Sequence, residues 1–233
     1  MIPLLRTNFQ GGIFLSKISL EKYSKITNAF MVAGAKFCGH DIPECPCTVE
    51  KAPNALIAYC DIKNEVQYDA FAHFYIDDYK FESIWRYPRR ALKKLIRCVG
   101  VITPDFSTYQ DDPEPLKLYN TYRMRAFGHW LTTLGFRVIN NVRWGEEDTF
   151  GWCFDGIPHN DIVLIGTVAS GLRNHENRKL FETGLTKLLK VLNPHTIIIY
   201  GSDNLPCLES VRQKIKIVSF KSERALAFKG GSS

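Results

Sequence analysis

The sequence lacks any apolar run long enough to cross a membrane, since a spanning helix needs about 20 consecutive apolar residues. Its N-terminal residues do not combine a charged segment with an unbroken apolar stretch, so no secretory signal is predicted. We therefore expect a cytoplasmic protein with no membrane partner. The sequence also contains no G-x-G-x-x-G and no G-x-x-x-x-G-K-[ST] stretch, so nothing supports a dinucleotide-binding or P-loop protein.

Paired C-x-x-C knuckles are absent as well, although the chain has seven cysteines. An odd number of cysteines in a chain large enough to build its own core predicts reduced thiols rather than a disulfide framework. The segment FCGHDIPECPCTVE still places Cys38, His40, Cys45 and Cys47 close together, which leaves a zinc site as a weak alternative. Without knuckle spacing, buried thiols beside a surface histidine are the favoured interpretation.

Basic residues cluster in RYPRRALKKLIR (86–97), within a chain of net charge +6. The helical period predicts an amphipathic helix with Ile96 on the inner face and a basic outer face formed by Arg89, Arg90, Lys93 and Lys94. Such a face can neutralise the phosphates of a nucleic acid, or it can simply be solvated. The solvated face is the simpler interpretation, and nucleic-acid contact stays open beside it.

Beyond about residue 70, short apolar runs alternate with helical patterns, as in AFAHFYID (70–77) and CVGVITPD (98–105). This alternation predicts an α/β fold, with a mostly parallel sheet of about six strands flanked by helices. The sheet is either open and doubly wound or barrel-like, the latter if GIFLSKIS and ALIAYCDI add two strands. We expect one domain over residues 1–229, with residues 1–70 as a cap or extra strands, and a flexible tail at 230–233.

Charged residues follow several of the predicted strands. Asp77 and Asp78 come after the first of these strands, Asp105 after the second, and Arg143 and Glu146 after the third. Because the carboxyl ends of parallel strands meet at one edge of a sheet, these side chains are expected at one site. The mutual repulsion of the carboxylates there requires a cation, an arginine or a proton.

One hypothesis makes these five residues catalytic, with Asp77 and Asp105 as ligands of Mg²⁺ or Mn²⁺ for phosphoryl transfer. Asn140 and Trp144, which flank Arg143, would join the basic helix in binding the substrate. Two alternatives remain: the carboxylates cap turns and helices or pair with arginines, or a pair of them hydrolyses a glycosidic bond.

Several longer segments carry a family resemblance. They are HFYIDDYKFESIWRYP, GVITPDFSTYQDDP, NTYRMRAFGHWLTTLGFRVINNVRW, WCFDGIP and LNPHTIIIYG. Together they resemble the bacterial and phage family called domain of unknown function 4417, over a span from about Phe71 to Gly201. The resemblance implies a setting in phages, prophages and plasmid-like elements, and it implies no mechanism. Where that family often has a proline after the strand isoleucine, this chain has Asn140.

Two functions follow as hypotheses. The first is a metal-dependent enzyme of a mobile element that acts on nucleic acid or another phosphate-bearing substrate. The alternative is a non-catalytic factor that binds DNA or a host or phage protein. Acidic residues at several strand ends favour the enzyme, while the absence of a recognised nuclease signature favours the binding factor.

Overall fold

The fold is that of a computed structural model in which residues 27–168, 170–223 and 225 are described. These residues form seven strands, each at or near an apolar run of the sequence: β1 (Leu56–Ala58), β2 (Tyr68–His73), β3 (Cys98–Ile102), β4 (Val138–Asn141), β5 (Ile162–Gly166), β6 (Thr196–Tyr200) and β7 (Lys216–Phe220). The helices between them within the same residues are α1 (Ser83–Arg86), α2 (Pro88–Leu95), α3 (Glu114–Thr133), α4 (His175–Leu192) and α5 (Pro206–Arg212).

All seven strands belong to one parallel sheet, and their order in the sheet is their order in the chain. Right-handed connections between parallel strands place the intervening helices on the same face when the order never reverses. The sheet therefore curls into a half-barrel with helices outside. This confirms the predicted α/β fold, and the barrel-like form is the one observed.

Side chains fill both faces of the sheet. In β6, Ile197 and Ile199 pack towards the helices, whereas Ile198 and Tyr200 point to the opposite, concave face. No helical residue belongs to the described concave core, which consists of Val49, Phe71, Ile102, Ile139, Ile162, Leu164, Ile198 and Tyr200. Strands buried on both faces read as continuous apolar runs, which is why IVLIG and TIIIY have no polar alternation.

Local signals fix the ends of the two long helices. The Asn174 side chain accepts hydrogen bonds from the backbone N–H groups of Glu176 and Asn177 and so caps the start of α4. Asn193, with φ of 47°, ends that helix in the left-handed conformation. Gly135, with φ of 82°, follows the end of α3 in the same way.

Of the two apolar runs considered as extra strands, one falls within the described residues. ALIAYCDI (55–62) supplies β1, while GIFLSKIS (12–19) and the tail at 230–233 lie outside the described residues. The chain around Val49 instead packs on the concave core. No helix in the described part of the chain is long and apolar enough to cross a membrane.

Gly100 of β3 provides a test of the concave core. A Cβ added at this position would lie 2.2 Å from ring atoms of the buried Phe71, so we expect Gly100→Ala to lower the free energy of unfolding by about 1–3 kcal/mol. Gly39→Ala is the matched control, because nothing lies within 4 Å of its added Cβ. Denaturant unfolding of the two variants measures the difference, and equal stabilities would contradict this packing.

Candidate functional site

A cleft of about 300 Å³ lies at the carboxyl ends of β2 to β5. Side chains from four separate connections reach it, together with the first turns of α4. Its polar and aromatic lining includes Tyr75, Asp105, Tyr109, Arg143, Trp144 and Glu146. The edge predicted from the sequence is therefore where a cavity forms, and three of the five predicted catalytic residues line it.

The loop after β3 is held rigidly in the wall of this cleft. Both the backbone N–H and the Oγ of Ser107 donate hydrogen bonds to the Asp78 carboxylate, at 3.0 and 2.9 Å. Asn120 of α3 donates to the carbonyl of Ser107 at 2.5 Å, and the guanidinium of Arg123 lies 3.7 Å from the centroid of the Phe106 ring. Asp78 thus positions the loop and is not among the residues lining the cleft.

Asp105 forms the centre of a hydrogen-bonded network in this wall. Its Oδ2 accepts from Arg143 Nη1 at 2.8 Å, and its Oδ1 accepts from Asn141 Nδ2 at 2.8 Å. The Tyr75 hydroxyl in turn donates to Asn141 Oδ1 at 2.5 Å. The network joins the ends of β2, β3 and β4, so a carboxylate that would otherwise be buried alone has two donors.

Burial and electrostatic attraction shift the pKa values of Asp105 and Arg143 in opposite directions. Burial raises the pKa of Asp105, although the Arg143 guanidinium and the Asn141 hydrogen bond oppose that rise. Burial alone would lower the pKa of Arg143, but the attraction of Asp105 outweighs it, and the pKa lies above its ordinary value. Arg143 is therefore a permanent cation at the cleft, with its side chain 30% exposed.

Trp144 and Glu146 complete the opposite side. The Trp144 ring packs against Phe181 of α4 at 5.4 Å between centroids, and it lies so close to Gly184 that an added Cβ would be 2.1 Å from its Nε1. Glu146 accepts a hydrogen bond from Gln110 Nε2 at 2.6 Å. Glu146 also lines an adjoining groove of about 510 Å³, whose other acidic residues are Glu147, Asp148 and Glu176.

Asp77 does not lie at the cleft, where the sequence-based hypothesis puts it. Its carboxylate is 64% exposed, pairs with Lys80 Nζ at 3.0 Å and does not line the cleft. Within the described residues, no group of three or more His, Cys, Asp or Glu side chains is arranged to hold a metal ion. The same holds for the cysteine and histidine segment, where His40 Nδ1 lies 2.9 Å from Asp155 Oδ2 and burial raises the pKa values of Cys45 and Cys47 to about 12. Cys38 accepts a hydrogen bond from the Gly156 backbone, and all seven cysteines are unpaired.

Asn140 and Arg125 support the site from behind. Asn140 is fully buried and donates to the carbonyl of Cys45 at 2.8 Å, so it does not reach the cleft. Arg125 of α3 is also fully buried and donates to the carbonyls of Asn141, Cys153 and Asp155. Burial lowers the pKa of Arg125 to about 10. Its hydrogen-bond acceptors are thus main-chain carbonyls and not carboxylates.

The basic residues of α2 lie apart from the cleft. Arg89, Arg90 and Lys93 are exposed, and none of them lines it. Lys94 is half-buried, with Nζ 5.0 Å from the centroid of the Tyr59 ring. The prediction that Ile96 faces inward is wrong: the helix ends at Leu95, and Ile96 is 67% exposed.

Sequence reasoning does not single out Tyr75, His73 or Asn177. Tyr75 stacks on Tyr200 with 5.0 Å between centroids, and His73 lies 4.3 Å from Tyr200, so an aromatic layer fills the concave face directly behind the cleft. Asn177 reaches the cleft from the first turn of α4. The sequence signal for His73 and Tyr75 is their position: His73 ends β2, and Tyr75 follows that strand as Asp77 and Asp78 do.

A parallel α/β half-barrel with a polar cleft at the carboxyl edge of its sheet is the class of protein that this fold and site define. The family model for a domain of unknown function, DUF4417, matches residues 36–221, and the chain belongs to that family. The predicted resemblance is thereby confirmed over a longer span than the quoted motifs cover.

Two phage proteins are similar to the chain. It is 37% identical over 130 residues to the Gene 1 protein of Mycobacterium phage D29, and equally to the Gene 1 protein of Mycobacterium phage L5. The matched region is 55% of this chain, 47% of the D29 protein and 56% of the L5 protein, so the match spans about half the length of these relatives. Their source supports the predicted connection with phages. No solved structure matches the chain.

His73 makes a pH dependence predictable. Burial lowers its pKa from 6.5 to about 4, against the opposing charge of Asp61, and its Nδ1 accepts from the Tyr75 backbone N–H at 3.2 Å, as a neutral imidazole must. The Glu223 carboxylate lies 3.9 Å from its Nε2. Between pH 6.5 and 4 the unfolded chain therefore binds the proton first, and the stability of the fold falls as the pH falls.

Protonation of this histidine lowers the free energy of unfolding by about 3 kcal/mol between pH 6.5 and pH 4. We expect His73→Gln to flatten the plot of unfolding free energy against pH between 6.5 and 4, whatever its effect on stability at pH 7. The exposed His159→Gln is the control and should leave the slope unchanged. An unaltered slope in the His73 variant would contradict the assignment.

Proposed function

We propose that the cleft binds a small phosphate-bearing ligand of nucleotide size together with Mg²⁺ or Mn²⁺, in a protein of phage type. The observation that carries this proposal is the position of Arg143. Among the described residues only its Nη1 has a hydrogen-bond partner, its Nε is buried without one, and the side chain, 30% exposed, lines the cleft. A guanidinium presents several donors in a planar fork, which matches the geometry of phosphate oxygens.

The walls of the cleft suit an aromatic base. Trp144 is fixed against α4, and Tyr109, 60% exposed, lines the side formed by the loop after β3. Aromatic rings stack on nucleobases with little sequence preference, because each base has a π-face. A volume of about 300 Å³ lies at the lower end of the range for small-molecule sites, so the ligand is small.

The carboxylates at the rim of the cleft disfavour a long polyanion and favour a phosphate compound that binds together with a metal cation. Glu146 lies in the cleft, and Glu147, Asp148 and Glu176 line the adjoining groove. Like charges at that edge repel a nucleic-acid backbone. Mg²⁺ is usually held by one or two carboxylates together with substrate phosphates, so a preformed cage of protein ligands is not required. Glu146 is the carboxylate best placed for this role, and Asp105 is already paired.

Binding can be measured by isothermal titration calorimetry with ATP and Mg²⁺, with adenosine as the ligand that lacks phosphate. We expect ATP to bind and adenosine to bind at least about tenfold more weakly, because the charged contact with Arg143 is lost. Arg143→Gln should weaken ATP by a similar factor, and Arg143→Lys by less. Arg212→Gln removes an ion pair of the same 2.8 Å length outside the cleft and is the matched control.

A second pair of variants tests whether Glu146 helps to hold the metal ion. Glu146→Gln should weaken ATP binding in Mg²⁺ and leave binding in EDTA unchanged, whereas Glu209→Gln, at an exposed position on α5, should change neither. Circular dichroism establishes that each variant is folded. Equal affinities for adenosine and ATP, or an Arg143→Gln variant with unchanged affinity, would overturn the proposal.

A metal-dependent enzyme and a non-catalytic binding factor both remain compatible with this ligand. The Asp105 network favours the enzyme, because it places a carboxylate and an arginine side by side in a partly enclosed cleft. Release of inorganic phosphate from ATP, measured with and without Mg²⁺, distinguishes the two functions. Turnover that disappears in Asp105→Asn and persists in Asp203→Asn supports the enzyme, and ligand binding without turnover supports the binding factor.

A further inference from the structure

We infer that the outer surface of α1 and α2 is a docking site for a single-stranded nucleic acid, separate from the cleft. The site, here called the basic face, consists of Tyr87, Arg86, Arg89, Arg90 and Lys93. None of these residues lines the cleft, so this inference does not depend on the proposed function.

The basic face presents a dense positive charge to solvent. All four cations of the basic face are exposed, and Arg89 and Lys93 are four residues apart on the same side of α2. Pro88, Ala91 and Leu95 are buried beneath them, so the helix presents these cations outward and cannot turn them inward. A strand that contacts them releases the counterions of its phosphates, which favours binding at moderate salt.

No carboxylate of the described residues neutralises the basic face. Residues 83–97 include no Asp or Glu, and within the described part of the chain no ion pair involves any of the four cations. The nearest acidic residue before them in the chain, Glu82, already forms an ion pair with Arg123, whose Nη1 lies 2.9 Å from its carboxylate oxygens. Ordinary solvated helices mix charges, as α4 does with Glu176, Glu182 and its lysines. The basic face therefore complements a partner with a dense negative charge.

The exposed aromatic residue decides which polyanion fits. Tyr87, 53% exposed, stands at the junction of α1 and α2, and the Arg90 guanidinium lies 4.9 Å from its ring centroid. A ring and a guanidinium together form a surface on which an unpaired base can stack. Bases inside a duplex are not available for that contact, and a lipid headgroup has no aromatic ring that could stack there. The combination of cations and an exposed ring thus favours a single strand.

Fluorescence anisotropy with a labelled oligo(dT) of about 20 nucleotides tests this inference on the full chain, across a salt series. We expect the unmodified chain to bind. The slope of the logarithm of the binding constant against the logarithm of the salt concentration should be smaller by about 2 in the triple variant Arg89→Gln, Arg90→Gln, Lys93→Gln, because each phosphate contact contributes about 0.7. The dissociation constant at low salt should rise by about tenfold or more. Tyr87→Ala should weaken binding by about tenfold, while Tyr87→Phe should preserve it.

A matched triple variant separates the basic face from net charge. Lys179→Gln, Lys187→Gln and Lys190→Gln remove the same charge from exposed positions of α4, and this variant should keep its affinity. Equal losses in both triple variants, or no binding by the unmodified chain, would overturn the inference. So would tighter binding to a duplex of the same length, or to vesicles containing anionic lipid, than to the single strand. Gln is a good helix former at all six positions, so the helices should persist.

Discussion

Every strand of the described sheet runs parallel to the strands that precede and follow it in the chain, and the rest of the structure depends on this constraint. Right-handed connections then keep the helices on one face, and the sheet curls around the other. The concave face must be filled by strand side chains and by the chain around Val49, because no described helix reaches it. The carboxyl ends of β2 to β5 point to one edge, so the loops that follow them meet there and enclose the cleft.

The charged groups at that edge are divided into separately satisfied pairs. Asp105 has Arg143 and Asn141, Asp78 has Ser107, and Asp77 has Lys80. Repulsion among carboxylates is thus relieved locally, partly by neutral donors, and not by a shared cation. This division explains how several acidic residues can follow neighbouring strands without forming a group of three potential metal ligands among the described residues. It also leaves Arg143 as the cation that a ligand in the cleft would meet.

The net charge of +6 conceals an uneven distribution. The groove beside the cleft is lined by four carboxylates, whereas the basic face carries four cations and no acid. Long-range electrostatic attraction would bring a polyanion to α2 and turn it away from the cleft. A small phosphate compound with its metal ion is affected much less, because its net charge is low. The two proposed ligands would therefore bind at different surfaces of the molecule.

The sequence by itself determined the elements and the edge of the sheet where polar side chains gather, because periodicity and strand ends are written in neighbouring residues. Asn174 and Gly135 likewise mark helix ends that could be predicted from local chemistry. Only the tertiary structure decided which of the polar residues share a cavity. Asp77 and Asp78 are adjacent in sequence, yet Asp77 is exposed and pairs with Lys80, whereas Asp78 accepts hydrogen bonds from Ser107 of another loop. Partners such as Tyr75 and Asn141 are 66 residues apart, and their contact depends on the register and curvature of the sheet, which no local pattern encodes.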